Sequence, residues 1–141
     1  MGFFRSALAL ALGLAATCSA LASDDGQIKR GQYLARAADC MACHTAEGGA
    51  PFAGGLPIHS PFGTIYGTNI TPDKQYGIGN YNADEFFAAV TQGKRKDGAN
   101  LYPAMPYTSY HLMRREDSDA IFAYLKTIAP VHRPAPQTAL R

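Results

Sequence analysis

Apolar residues recur at helical spacing in three stretches of this chain and lose that rhythm between them. The first stretch, Gln27 to Cys40, carries Gly31, Ala35 and Ala38 as a stripe of small residues, suited to the close approach of another helix. The second, Ala83 to Gln92, opens after Asn82 with Glu85 placed to complete a capping box, and Gly93 follows as a natural stop. Phe86, Phe87 and Val90 give it one apolar side. The third, Arg115 to Thr127, places Glu116, Asp117 and Asp119 in its first turns, where the helix dipole favours acids. Its buried stripe is Ile121, Tyr124, Leu125 and Ile128, and Pro130 ends it. From Thr45 to Tyr81 the chain is rich in Gly, Pro, Ser, Thr and Asn, and no strand alternation stands out. A loop that long in a compact domain is expected to wrap something or to carry function. The pattern predicts an all-α fold with long connecting loops.

The first residues follow a different logic. Arg5 precedes an apolar run from Ala7 to Ala16, and Ala20-Leu21-Ala22 offers small residues for cleavage before Ser23. The run is short for a membrane span of about 20 residues. Residues 1–22 are therefore expected to be a cleaved signal peptide that takes Cys18 with it, and the product to be periplasmic without a transmembrane helix. Residues 23–130 are expected to form one domain, followed by a polar, Pro-containing tail over 131–141. The formal charge of the 141 residues is +2, too small for a nucleic-acid footprint. Lys94-Arg95-Lys96 is the one basic run, and serves either as a docking patch for a redox partner or as a solvated turn after the second helix.

Two cysteines remain after the leader, Cys40 and Cys43, in the segment Cys40-Met41-Ala42-Cys43-His44. C-x-x-C-H is the attachment pattern of a c-type haem. Thiols three residues apart on a helix end can each reach one vinyl group of a porphyrin, and the next imidazole projects beneath the iron. A redox C-x-x-C needs a βαβ setting, and a structural zinc site needs further paired ligands. The sequence offers neither. For the opposite face of the iron the candidates are Met105, Met113, His59, His111 and His132. Met105 stands apart, because Pro103 and Pro106 stiffen its loop and a pre-positioned thioether loses little entropy on binding.

Further segments carry a resemblance. Arg30 to Ala35, Cys40 to His44, Phe52 to Pro57, Pro61 to Tyr66, Thr68 to Asp73, Leu101 to Tyr107 and Ala123 to Leu125 resemble a class I c-type cytochrome. More narrowly, they look like the first haem domain of cytochrome c subunits of membrane-bound periplasmic alcohol, aldehyde or gluconate dehydrogenases. The resemblance implies a class I cytochrome c fold around one covalently bound haem c. It implies attachment at Cys40 and Cys43, His44 as proximal and Met105 as distal iron ligand, and a backbone carbonyl near Pro57 accepting the second ring N–H of His44. Such subunits typically carry three haem domains, and this chain has one C-x-x-C-H. Arg114 stands where they tend to place a capping Ser, Thr or Asp. The implied role is an electron carrier, not an enzyme, with a periplasmic or membrane-bound dehydrogenase as donor and a respiratory acceptor. A haem enzyme or ligand sensor with a labile distal ligand is the alternative.

Overall fold

The computed structural model describes residues 24–140, so the signal-peptide expectation and Cys18 lie outside the described residues. The fold is predominantly helical. Helix α1 runs over residues 24–37 and α2 over Cys40–Cys43. They are followed by α3 at Ala83–Gln92, α4 at Tyr107–Tyr110 and α5 at Arg115–Thr127. The single first helix expected up to Cys40 is thus two helices. Asp39 adopts a left-handed backbone (φ 58°) and turns the chain between them.

The small-residue stripe sets how closely α1 and α5 approach. Ala35 is fully buried, and a Cβ placed on Gly31 would lie 1.8 Å from the Ala120 carbonyl oxygen. Glycine is therefore the residue that lets these backbones pass in contact. Arg30 of α1 also donates to the Asp117 carboxylate of α5, which holds that carboxyl below its ordinary pKa. The capping box of α3 is complete: the Asn82 side chain accepts from Glu85 N–H, and the Glu85 carboxylate accepts from Asn82 N–H. Gly93 closes the helix in the left-handed conformation. Arg114 precedes α5 without a side-chain cap, and its guanidinium pairs with Glu116 and Asp117 instead. Helices α3 and α5 pack through Phe86 and Phe122, whose rings stack at 5.0 Å. Phe86, Val90, Ile121 and Leu125 share one core with Ala35, Phe52 and Ile78.

The region without alternation contains a small antiparallel sheet that the sequence reading did not anticipate. Strand β1 (Pro57–Ser60) and strand β2 (Gly63–Tyr66) form a hairpin, and β3 (Ala139–Leu140) pairs with β2. The Ser60 hydroxyl closes the hairpin by accepting from Phe62 N–H and donating to the Gly63 carbonyl. Beyond Pro130 the chain folds back along this sheet. The Val131 and Arg133 carbonyls accept from the Asn69 side chain, and the Thr138 hydroxyl accepts from Tyr66 N–H.

Candidate cofactor site

Helix α2 is one turn, and its spacing groups the reactive side chains. Residues at i, i+3 and i+4 lie on one helical face, which puts Cys40, Cys43 and His44 together. The turn is closed by His44 N–H donating to the Cys40 carbonyl at 3.1 Å. Gly67 passes so near that a Cβ there would lie 2.0 Å from the Cys43 carbonyl oxygen. On the other side Gly54 N–H donates to the His44 carbonyl at 2.7 Å. The turn is thus gripped between the segment after Phe52 and the segment after β2.

His44 Nδ1 lies 2.7 Å from the Thr68 carbonyl oxygen. A carbonyl only accepts, so the proton sits on Nδ1 and the lone pair of the neutral ring on Nε2. Burial lowers the pKa of His44, against the opposing pull of the Thr68 carbonyl, and so favours that neutral form. The carbonyl expected near Pro57 is therefore that of Thr68, just beyond β2. A backbone acceptor leaves no side-chain code in a sequence, which is why it was misplaced. Burial also pushes the Cys40 thiol up to about 11. A nucleophilic or redox C-x-x-C lowers this value instead.

Both cysteines are free thiols here, and they border an apolar cavity. Cys40, Cys43, His44 and Thr68 form one part of the wall, and Ile58, Ile65 and Tyr66 of the hairpin another. Helices α3 and α5 contribute Phe86, Val90 and Ile121. Leu101, Met105 and Met113 complete the side supplied by the Met105 loop and its continuation. Tyr110 fastens that side to the turn after α1 by donating from its hydroxyl to the Ala38 carbonyl at 2.7 Å.

The cavity separates the candidate distal ligands. Met105 and Met113 line it, whereas His59, His111 and His132 do not. His59 belongs to β1, not to a loop, and its ring hydrogen-bonds the Thr64 hydroxyl. The His111 ring donates to the Thr108 carbonyl, and the His132 ring to the Asp73 carboxylate. Met105 has its backbone held on both sides. Its N–H donates to the Tyr102 carbonyl at 3.2 Å and its carbonyl accepts from Tyr107 N–H at 2.8 Å. Among the described residues, His, Cys, Asp and Glu side chains gather nowhere as three or more around a metal position, so the cysteine pair lacks the ligands of a zinc centre.

Residues 28–129 match the sequence profile of cytochrome c. The chain belongs to the cytochrome c family. It is 56% identical over 131 residues to the gluconate 2-dehydrogenase cytochrome c subunit of Pantoea cypripedii, covering 90% of this chain and 30% of that subunit. It is 52% identical over 121 residues to the cytochrome c subunit of the quinone alcohol dehydrogenase of Gluconobacter oxydans (83% and 25%). It is 53% identical over 115 residues to the fructose dehydrogenase cytochrome subunit of Gluconobacter japonicus (80% and 24%). The chain thus spans 24% to 30% of the length of these three relatives. The family fold carries one haem c bound covalently through cysteines, and the cavity fits that group. It is apolar, it is bordered by two thiols on one helical turn, and it brings together an imidazole with a free Nε2 lone pair and a thioether.

The basic run answers to a more local need. Lys94 donates to the Asn100 side chain, Arg95 pairs with Asp97, and Lys96 reaches Glu85 and the Asn80 carbonyl. These contacts tie down the turn after α3, which supports the second of the two uses considered for this segment.

Proposed function

We propose that this chain is a periplasmic electron-transfer domain in which Cys40 and Cys43 hold one haem c, His44 Nε2 is the proximal iron ligand and the Met105 sulfur the distal one. The observation that carries the reading is the convergence of these four side chains on a single apolar cavity. Bound there, a haem supplies a reversible one-electron ferric/ferrous couple.

Each residue contributes a separate physical effect. The two cysteines fix the group to the chain, so that it cannot dissociate between encounters. His44 is held in its neutral tautomer by the Thr68 carbonyl, which fixes the ring and raises its basicity. Met105 sits in a loop stiffened by Pro103 and Pro106, so ordering the distal ligand costs little. Met113 precedes α5 and packs against the core, which suits a wall residue. Phe86, Val90 and Ile121 exclude water, and a thioether in such surroundings favours the reduced state. A haem held by both His44 and Met105 would have no coordination site left for dioxygen or peroxide. That is the property of a carrier.

The relatives named above are cytochrome subunits of gluconate, alcohol and fructose dehydrogenases. By that similarity the electron donor is a dehydrogenase of the same kind and the acceptor a component of the respiratory chain. No described helix is long and apolar enough to cross a membrane. The test is a redox titration of the purified holoprotein, followed by exposure of its reduced form to carbon monoxide. A reversible one-electron transition and an absorption spectrum unmoved by carbon monoxide are expected. An immediate carbon monoxide adduct in the unmodified protein would make it a ligand-binding or catalytic haem protein instead.

A further inference from the structure

The bond that orients His44 is itself held in place, by a residue that touches neither the cavity nor the imidazole. We propose that Asn69 is a positioning residue for His44, and that the segment after Pro130 acts through it as a strap that tunes the iron. The proposal rests on the assignment of His44 as proximal ligand made above.

The peptide unit is planar. The Thr68 carbonyl that accepts from His44 Nδ1 lies in one rigid plane with the nitrogen and Cα of Asn69. Whatever fixes the Asn69 Cα therefore restricts where that carbonyl points. Asn69 is 3% exposed, and its side chain uses all its hydrogen-bonding capacity. Its oxygen accepts from Thr71 N–H at 2.9 Å and from the Thr71 hydroxyl at 2.7 Å. Its NH₂ donates to the Val131 carbonyl at 2.8 Å and to the Arg133 carbonyl at 3.1 Å. The fully buried Thr71 hydroxyl accepts in turn from Val131 N–H at 3.1 Å.

The strap also grips the chain on the other side of Thr68. Its Ala139 and Leu140 pair with Thr64 and Gly63 of β2, the strand that runs into Gly67 and Thr68. The residue carrying the acceptor is thus anchored before and after by one C-terminal segment. Aspartate at 69 would aim a carboxylate at two carbonyl oxygens, and leucine would leave both carbonyls and Thr71 N–H without their partners. Asparagine is the side chain of this size that offers two donors and two acceptor positions together.

The consequence is electronic as well as mechanical. A firm N–H···O=C bond makes an imidazole more basic and the ligated iron easier to keep oxidised. If Asn69 and the strap hold that bond, releasing them weakens it and the reduction potential rises. A purely structural role predicts lower stability with an unchanged potential.

Asn69→Leu and Thr71→Val test this in the full-length holoprotein, since both are neutral and introduce no charge near the iron. Leu125→Ala serves as a control, because Leu125 is 1% exposed in the core and does not line the cavity. The readouts are the reduction potential, the exchange rate of the His44 ring proton by NMR, and the melting temperature. Asn69→Leu is expected to raise the potential and to speed ring-proton exchange on the order of tenfold, the factor that corresponds to about 1.4 kcal/mol. Thr71→Val should move both in the same direction by less, which keeps the proposal testable should the leucine variant fold poorly. Leu125→Ala should lower only the melting temperature. Unchanged potential and exchange in the Thr71 and Asn69 variants, or an equal shift in the Leu125 control, would overturn the positioning role. A His44→Ala protein with an unaltered haem spectrum would instead overturn the ligand assignment beneath it.

Discussion

Replacing Met105 with alanine is expected to leave the haem on the chain while opening the iron to carbon monoxide. The thioether links belong to α2, on a different part of the cavity wall, and are untouched by the change. The distal position, however, loses its sulfur. The reduction potential should fall, because a Met ligand favours the ferrous state, by on the order of 0.1–0.3 V out of the roughly 0.8 V that axial ligation commands. Met113→Ala is the informative comparison, since both methionines line the cavity. Met113 packs against the buried core, so its truncation should cost about 2 kcal/mol of stability without admitting carbon monoxide. Spectra of both reduced variants under carbon monoxide decide the matter. An adduct in the Met113 variant with none in the Met105 variant would reverse the assignment.

Substituting Ser at both Cys40 and Cys43 is expected to abolish covalent attachment altogether. Each single substitution should keep one thioether, because the two thiols occupy the same helical turn and reach the group independently. The double variant has a second, larger consequence. Helices α3 and α5, the hairpin and the Met105 loop all face an apolar cavity that the cofactor is expected to fill. A domain of this size has little other core to offset the loss. The variant should therefore accumulate poorly, and any soluble fraction should release its haem under denaturing conditions. A double Ser variant that retains haem on a denaturing gel would rule out these cysteines as the attachment points.

The helices were legible because their signals are local. Asn82, Glu85 and Gly93 fix both ends of α3 through contacts within a few residues, and the acidic first turn of α5 carries its own cue. The C-x-x-C-H turn was legible for the same reason. The break at Asp39 was not, since the left-handed turn there lies between two stretches that both read as helix. The hairpin was hidden because its four-residue strands hold Pro57 and Gly63 and bury neither face cleanly. The Thr68 carbonyl belongs to the backbone and is invisible to any reading of side chains. What the sequence could not express was the long-range half of the site. The strap reaches Asn69 across more than sixty residues, through backbone carbonyls that any residue at 131 or 133 would supply.

The measurement that bears most directly on this account is the intact mass of the exported protein, taken under denaturing conditions after expression with a working haem-attachment system. The expected product is a chain that begins at Ser23 and carries the mass of one haem, with the addition mapping to the peptide that contains Cys40 and Cys43. An unmodified mass, or haem lost on denaturation of the unsubstituted protein, would contradict it.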